Sequence, residues 1–366
     1  MKVALVHDYL GEFGGAERVL LALSDMYPEA PIYTAFWRPG DAYERFRGRD
    51  IRVSWAHHVP GFSTALHSPL RFLAPNIWGS FDFSGYDLVI SSASWYVTKG
   101  FGSRGTNRKN PVEICYCHTP PRWLYGYQTS KQNSLFRTYG TFVGFFMRQY
   151  DYNAAQRVNY FIANSEETKK RIEKFYRRDA EVIYPPITVN VQQLTVNRKK
   201  SYFLIVSRLA QPKHIEIAIE SAKKLSFDLK IVGIGPDEAR LRAIADDHVE
   251  FLGHVPDVRL PELYAGAHAF LALATDEDFG MTPVEAMAMG TPVIAYRGGG
   301  YTESVLEGKT GIFFDRGTPD ALSDAIKRLR LMHISTGACR ARAQQFSLSR
   351  FRKEFSSFVA AHCSKP

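Results

Sequence analysis

Cysteine, long apolar runs and repeated segments are all scarce in this sequence. The four cysteines, Cys115, Cys117, Cys339 and Cys363, are spread irregularly over 366 residues. That spacing excludes a disulfide framework and suits a reducing cytoplasm. No apolar run reaches the roughly 18 residues that a bilayer-spanning helix needs, and the first residues lack the long apolar core and cleavage site of a signal peptide. We therefore expect a cytoplasmic protein that is neither secreted nor membrane-spanning.

The composition is that of a globular protein. Hydrophobic residues make up 45% of the chain, charged residues 23% and aromatic residues 13%. These values exclude a disordered polymer and a coiled coil. The length is about twice that of a usual single domain, so two domains are expected.

Short apolar stretches alternate with amphipathic ones, which is the pattern of parallel sheets that carry helices on both faces. The predicted strands are KVALVH (2–7), PIYTAF (31–36), DLVISS (87–92), VEICYCH (112–118) and NYFIANS (159–165), followed by SYFLIVS (201–207), FDLKIVG (227–233), VEFLGHV (249–255), AFLALA (269–274) and TPVIAY (291–296). The fold class is therefore α/β, with two doubly wound, Rossmann-like domains that face a cleft.

A Pro-Pro pair followed by polar, poorly periodic residues separates the two series of strands. We take 185–200 as the linker, 1–184 as the first domain and 201–346 as the second. The tail, 347–366, carries Phe351, Phe355, Phe358 and Val359 at helical spacing, so we expect a helix that crosses back to the first domain.

Basic residues outnumber acidic ones by 46 to 37, and most of the surplus lies between residues 97 and 150, with eight basic residues and one acidic residue. Such a region attracts a phosphate-bearing partner, whether nucleic acid, an anionic membrane or a phospholipid-like substrate, although a solvated face of mixed loops would look the same. The aromatic and basic stretch from Leu135 to Arg148 suggests a helix at a membrane surface; an ordinary buried helix is the alternative.

Two glycine turns follow predicted strands. Gly14 and Gly15 open the first helix, where backbone N–H groups and the helix N-terminus could meet an anion or a sugar. Gly233 and Gly235 resemble only part of a dinucleotide fingerprint. Both pairs also fit purely structural turns.

Two cations follow the first strand of the second half. Arg208 ends that strand and Lys213 opens the next helix. At a strand-to-helix turn they could neutralise a diphosphate without a metal. A solvated loop with two surface cations is the alternative.

The stretch from Glu277 to Val293, EDFGMTPVEAMAMGTPV, places two carboxylates around a helix start. Glu277 lies in the loop and Glu285 in the first helical turn, so both could accept hydrogen bonds from sugar hydroxyls. A capping box of Thr282, Pro283 and Glu285 would explain Glu285 without a ligand, but not Glu277. The string Asp276-Glu277-Asp278 spells a metal-binding DxD motif, which we interpret as coincidence because Arg208 and Lys213 supply cations.

His118 ends the strand VEICYCH, at the mouth of the first domain. It could donate a hydrogen bond to a sugar hydroxyl or stabilise developing charge, or it could be a structural histidine. Cys115 and Cys117 lie nearby, but no second ligand cluster has zinc-like spacing, so we place both cysteines in the core.

In this order the motifs resemble the retaining glycosyltransferases of the GT-B fold, glycosyltransferase family 4. The resemblance extends over essentially the whole chain, from GGAER through Arg208 and Lys213 to the Glu277–Glu285 element. In the family, the position of Asp278 is often occupied by a small residue and that of His214 by glycine. Both departures could alter donor preference.

The resemblance implies a nucleoside diphosphate sugar as the donor, bound mainly by the second domain. The residues that match Arg208 and Lys213 hold the diphosphate, the one matching Glu285 accepts the ribose hydroxyls, and the one matching Glu277 contacts the transferred sugar. His118 matches a histidine near the sugar. Further donor contacts are implied at Gly14, Gly15, Gly233, Phe279, Gly280, Met281 and Thr282.

The implied reaction is transfer of a hexose with retention and without a metal or other cofactor. The HDYLGEFGGAERV start is most similar to bacterial polysaccharide mannosyltransferases, which favours mannose from GDP-mannose and a polyprenyl-linked glycan acceptor. We expect no nucleic-acid partner and a cytoplasmic location, with attachment to the inner face of the membrane as an option. A nucleotide-sugar epimerase and a catalytically silent nucleotide-sugar-binding protein are the alternatives.

Overall fold

The computed structural model of the chain describes residues 1–102, 111–127, 134–188 and 201–363, with side chains 134–140 outside that description. It divides into two compact units. The first unit comprises Met1–Pro186 with Leu348–Pro366, and the second comprises Ile187–Ser347. Most of the predicted linker, 189–200, lies outside the described residues.

The first unit is built on a parallel sheet. Its strands are β1 (Val3–His7), β2 (Ile32–Thr34), β3 (Ile51–Val53), β4 (Leu88–Ala93), β5 (Val112–Cys117), β6 (Tyr160–Ala163) and β7 (Glu181–Val182). Its α-helices are α1 (Gly15–Met26), α2 (Asp41–Arg45), α3 (Ala74–Gly79), α4 (Ser134–Arg157) and α5 (Glu166–Tyr176), and short turns of other helix types lie at Trp55–His58, Phe62–Leu66, Arg71–Leu73 and Arg122–Leu124.

The strand order in this sheet is β3-β2-β1-β4-β5-β6-β7. The chain therefore reverses its direction of growth between β1 and β4, which pair in parallel from Val3 with Leu88 to His7 with Ser92. The crevice beyond the carboxyl ends of two such strands is where doubly wound folds bind ligands.

The C-terminal helix, Leu348–Cys363, belongs to the first unit. Phe351, Phe355, Phe358 and Val359 are buried together with β1 and the inner face of α1. Their helical spacing explains this packing, because it places all four side chains on one face.

The second unit repeats the design. Its strands are β8 (Tyr202–Val206), β9 (Leu229–Val232), β10 (Val249–Gly253), β11 (Ala267–Ala272), β12 (Val293–Tyr296) and β13 (Gly311–Phe314). Its helices are α6 (Ile215–Leu225), α7 (Glu238–Ile244), α8 (Leu260–Gly266), α9 (Met281–Ala288), α10 (Tyr301–Ser304), α11 (Pro319–Arg330) and α12 (Thr336–Gln344), with a short turn at Gln211–Lys213; the C-terminal helix is α13.

The strand order of the second sheet is β10-β9-β8-β11-β12-β13, all parallel. The reversal here falls between β8 and β11. The predicted class, two Rossmann-like α/β domains, is confirmed, although the short or late strands β3, β7 and β13 were missed. Among the helices that the structure describes, none has the length and apolarity to cross a bilayer.

Candidate active site

Two of the predicted charged residues meet at the reversal point of the second sheet. Lys213 ends the turn that follows β8, and Glu277 lies in the loop after β11. Lys213 Nζ lies 2.6 Å from Glu277 Oε2, and the two side chains are 33% and 19% exposed. A half-exposed ion pair at the carboxyl ends of adjacent strands can be opened by an ionic ligand, because neither charge is sealed in the core.

Arg208 is exposed on the turn directly after β8. Gly233 and Gly235 pack against the backbone of this turn: a Cβ on Gly233 would lie 1.9 Å from Ser207 O, and one on Gly235 would lie 2.1 Å from Leu209 O. Gly233 also has a φ of +130°. The two glycines therefore have a structural role, because only glycine permits so close an approach.

The loop that carries Glu277 is held by the segment of Gly300 and Tyr301, which was not predicted to be part of the site. Gly300 N donates a hydrogen bond to Glu277 O at 2.9 Å, and Tyr301 Oη donates one to Glu277 Oε2 at 3.3 Å. Gly280 has a φ of +82°, and a Cβ there would lie 2.5 Å from the Tyr301 ring. The string GGGY at 298–301, after β12, indicates a close approach of the backbone to another segment. The loop that it contacts, however, is distant in sequence.

Glu285 is buried, with 3% of its surface exposed. Tyr264 Oη donates a hydrogen bond to Glu285 Oε2 at 2.8 Å. The capping-box interpretation and the placement of Glu285 in the first turn are wrong: α9 begins at Met281 after the left-handed Gly280, with no side-chain cap. Gly280 starts the helix earlier than Thr282 and Pro283 suggested, so Glu285 falls in the second turn.

The remaining predicted residues of this loop differ in exposure. Phe279 is 2% exposed and Gly280 is buried, whereas Met281 and Thr282 are half-buried in the first turn of α9. Among the described residues, no group of three or more His, Cys, Asp or Glu side chains is arranged to hold a metal ion.

A chain of hydrogen bonds lies at the reversal point of the first sheet. His118 Nε2 is 2.8 Å from Ser92 Oγ, and the same hydroxyl is 3.0 Å from His7 Nδ1. The other nitrogen of His7, Nε2, faces Glu17 Oε1 at 3.4 Å. His7 ends β1 and Ser92 lies near the end of β4, so the pairing of these strands brings together residues far apart in sequence.

The two histidines have opposite pKa shifts. Burial, followed by the proximity of His7, lowers the pKa of His118 from 6.5 to about 3. Burial alone would also lower the pKa of His7, but the hydrogen bond and charge of Glu17, together with Asp8 and Ser92, raise it above 6.5. His118 is therefore neutral near pH 7, whereas His7 keeps its charge to a higher pH than an ordinary histidine does.

The glycine turn of the first unit forms a hydrogen bond within the chain. Gly14 precedes α1 as its N-cap, and its N–H donates a hydrogen bond to Glu17 Oε2 at 2.9 Å. Gly15 is exposed at the first position of the helix. Cys115 and Cys117 are buried in a core cluster of the same unit, as predicted.

Two family models match the chain. The model "Glycosyltransferase Family 4" matches residues 13–191, and the model "Glycosyl transferases group 1" matches residues 187–346. Between them they span both units. The chain belongs to glycosyltransferase family 4. This chain is therefore a glycosyltransferase enzyme, as predicted.

Relatives of this family 4 chain include a full-length match. "Alpha-1,3/1,6-mannosyltransferase ALG2" of Mus musculus is 24% identical over 98% of this chain and 95% of its own. "D-inositol 3-phosphate glycosyltransferase" of Acidothermus cellulolyticus is 36% identical, but over 34% of this chain and 32% of its own. The solved structure of Anabaena Alr3699/HepE in complex with UDP and glucose matches with a TM-score of 0.75 and 21% identity, covering 99% of this chain and 100% of that one. The last similarity supports the GT-B fold.

Proposed function

We propose that this glycosyltransferase moves a hexose, with retention and without a metal, from a nucleoside diphosphate sugar to a glycan acceptor. Mannose from GDP-mannose is the proposed donor group, and a polyprenyl-diphosphate-linked glycan is the proposed acceptor. The second unit binds the donor and the first binds the acceptor. The Lys213–Glu277 pair at the strand reversal is the observation that carries the proposal.

The diphosphate would bind to the cations after β8. Lys213 is already oriented by Glu277, at 2.6 Å, and Arg208 is exposed on the preceding turn. A diphosphate that takes over the Lys213 ammonium leaves Glu277 with vacant acceptor positions for sugar hydroxyls. The pair would thus keep the site organised before the donor arrives.

The ribose would bind at Glu285. One carboxylate oxygen accepts the Tyr264 hydroxyl, and a carboxylate has about four lone-pair positions in all, so acceptor capacity remains for the ribose hydroxyls. Burial of this carboxylate favours a ligand that donates hydrogen bonds, because water does not compete strongly there.

The proposed reaction breaks the bond between the sugar C1 and the diphosphate oxygen, which leaves with the electron pair. The acceptor oxygen forms the new bond on the same face of the sugar, and its proton passes to the departing phosphate. Arg208 and Lys213 stabilise the charge that develops on that phosphate. Because His118 is neutral, it contributes a hydrogen bond at the sugar rather than a positive charge.

The identity of the donor is open to a direct test. Mannose is supported by the relatives named as mannosyltransferases in mouse and human, at 24% and 26% identity. The purified enzyme is incubated with a polyprenyl-diphosphate-linked glycan and, in parallel, GDP-mannose, UDP-glucose or UDP-N-acetylglucosamine. Transfer from GDP-mannose is expected; transfer from a UDP-sugar alone would overturn the mannose assignment, and free sugar without glycan product would overturn acceptor transfer.

An anionic bilayer surface is the proposed attachment site, through helix α4. Val143 and Met147 face the core of the first unit, whereas Phe142, Phe145 and Phe146 are 72%, 65% and 60% exposed. The helix is thus not simply buried. Three exposed aromatic rings on a helix within the basic stretch favour an interfacial helix, because rings enter the headgroup region while cations meet anionic lipid. Lys131 and the side chain of Arg137 lie outside the described residues.

Flotation with vesicles of phosphatidylglycerol and phosphatidylethanolamine tests this attachment. The triple variant Phe142→Ser/Phe145→Ser/Phe146→Ser should lose most vesicle binding, and salt should weaken binding of the wild type. Leu331→Ser is the matched control, since Leu331 is 90% exposed in the second unit. Equal binding by the triple variant and the control would contradict a role for α4.

A further inference from the structure

The hydrogen bonds around Ser92 permit few arrangements of protons. Ser92 is fully buried, and its single hydroxyl lies between His7 Nδ1 at 3.0 Å and His118 Nε2 at 2.8 Å. A hydroxyl has one proton to donate. Ser92 can therefore donate to only one histidine and must accept from the other.

The charge on His7 decides which histidine receives that proton. When His7 is charged, both of its ring nitrogens carry protons, so Nε2–H faces Glu17 and Nδ1–H donates to Ser92 Oγ. Ser92 then donates to His118 Nε2, which leaves the proton of neutral His118 on Nδ1. When His7 is neutral, its proton faces the Glu17 carboxylate, Ser92 donates to His7, and His118 must carry its proton on Nε2.

We infer that His7, Ser92 and Glu17 act as positioning residues that set the tautomer of His118. With His7 charged, His118 presents an N–H donor at Nδ1; with His7 neutral, it presents a lone pair there. Among the described residues His118 Nδ1 has no hydrogen-bond partner, and His118 is 7% exposed. This inference rests on the proposed role of His118 at the transferred sugar, where a donor would hold a hydroxyl.

The charged and titratable groups near the two histidines come from α1, from the end of β1 and from the other histidine. Glu17 approaches His7 from α1, Asp8 follows it at the end of β1, and each histidine is a neighbour of the other. Asp8 accepts hydrogen bonds from Ser94 Oγ at 2.6 Å and Trp95 N at 2.6 Å. Glu17 is thus the acidic group that bonds to His7 directly, and its charge is the one to remove.

The tautomer is measurable without any substrate. Long-range ¹H–¹⁵N NMR of ¹⁵N-histidine-labelled enzyme distinguishes protonated Nδ1 from protonated Nε2, and His118→Gln assigns the signal by its loss. At pH 6, below the raised pKa of His7, the wild type should show His118 protonated at Nδ1. Raising the pH through the pKa of His7 should move that proton to Nε2, because the Glu17 carboxylate can only accept and therefore keeps the proton of neutral His7 on its Nε2. Glu17→Gln lowers the pKa of His7, so this change should no longer occur at the wild-type pH. His118 in the Nε2–H form in the wild type at pH 6, or a tautomer that does not change as the wild type is titrated, would overturn the inference.

Variants of Ser92 provide a second test of the inference in case Glu17→Gln folds poorly. Ser92→Ala should leave His118 as a mixture of tautomers, and Ser92→Thr, which keeps the hydroxyl, should restore one form. Ser91→Ala is the matched control on the same strand. Its hydroxyl donates to Glu113 at 2.7 Å, and Glu113 keeps the backbone N–H donors of Gly100 and Phe101. A mixture in Ser91→Ala as well as Ser92→Ala would count against the relay formed by His7, Ser92 and His118.

The pH profile of transfer separates this inference from the proposed function. If Nδ1–H is the active form, kcat should fall as pH rises through the pKa of His7, and Glu17→Gln should shift that fall to lower pH with a smaller change in the KM for GDP-mannose. A tautomer change without transfer from any donor would overturn the proposed function alone. Transfer whose pH profile is identical in wild type and Glu17→Gln would overturn the relay's part in it.

Discussion

The two units place different chemistry at the same position of the same topology. In both, a first strand lies beside a fourth, and the candidate residues lie at or beyond the carboxyl ends of the strands at this reversal, with His118 following the adjacent β5 in the first unit. There the first unit carries two buried histidines that are hydrogen-bonded to one buried serine. The second carries a half-exposed lysine–glutamate pair. Topology thus fixes where a site forms, while burial and residue type decide which ligand it suits.

Exposure is the physical difference between the two sites. His118 is 7% exposed, whereas the Lys213 side chain is 33% exposed. A buried neutral ring can orient a hydroxyl but cannot hold a diphosphate. A half-exposed cation can exchange its carboxylate partner for phosphate oxygens without a large desolvation cost. Unequal responses to substitution are therefore expected in the two units.

Glu277→Gln should have the largest effect on activity. It removes the carboxylate that orients Lys213 and that we propose accepts the sugar hydroxyls, so kcat should fall on the order of 100-fold. Steady-state transfer from GDP-mannose measures the change. Glu250→Gln is the control, because Glu250 forms a surface pair with Lys230 at 2.9 Å in the same unit. Equal activity in both variants would remove Glu277 from the site.

The buried neutral state of His118 should make the first unit sensitive to acid. Its pKa is about 3 when folded and near 6.5 when unfolded. The unfolded chain therefore binds more protons, and the free energy of unfolding falls as pH drops below 6.5. Between pH 7 and pH 4.5 the wild type should lose about 2 kcal/mol more than His118→Gln.

Urea unfolding followed by tryptophan fluorescence measures this difference in the first unit, which contains all five tryptophans. His248→Gln serves as the control, since the His248 side chain is 40% exposed in the second unit. Equal losses in wild type and His118→Gln would contradict the buried neutral histidine.

Tyr264→Phe should have a smaller effect, confined to the second unit. It removes the hydroxyl that donates to Glu285 at 2.8 Å, so the carboxylate loses one hydrogen bond and GDP binding should weaken roughly five- to tenfold. Tyr202→Phe is the matched control, because it removes a hydroxyl that donates to Leu263 O at 2.8 Å. Equal Kd values for the two variants would argue against Glu285 as a ligand residue.

Strand periodicity predicted most of the fold and part of the site. Apolar runs located the strands, and the carboxyl ends of parallel strands brought Lys213 near Glu277. Tyr264 and Tyr301 were missed because their partners are 21 and 24 residues away. No local pattern marks a contact of that kind.

The relay in the first unit escaped prediction for a related reason. His7 and Ser92 are 85 residues apart, and they meet only because β1 pairs with β4 rather than with a sequence neighbour on that side. The start of α9 was misplaced because Thr282 and Pro283 are strong local signals, whereas the left-handed Gly280 depends on its contact with Tyr301. In this turn, tertiary packing overrides the local preference for the position of the helix start.

Calorimetric titration of GDP and UDP into the wild type, Lys213→Met and Lys224→Met tests the donor site of the second unit most directly. Lys224 is the control, since it forms an exposed pair with Asp320 at 2.6 Å. At least one nucleotide should bind the wild type and Lys224→Met equally and Lys213→Met on the order of tenfold more weakly. Equal affinity in all three proteins, or no binding of either nucleotide to the wild type, would contradict a diphosphate held at the β8–β11 reversal.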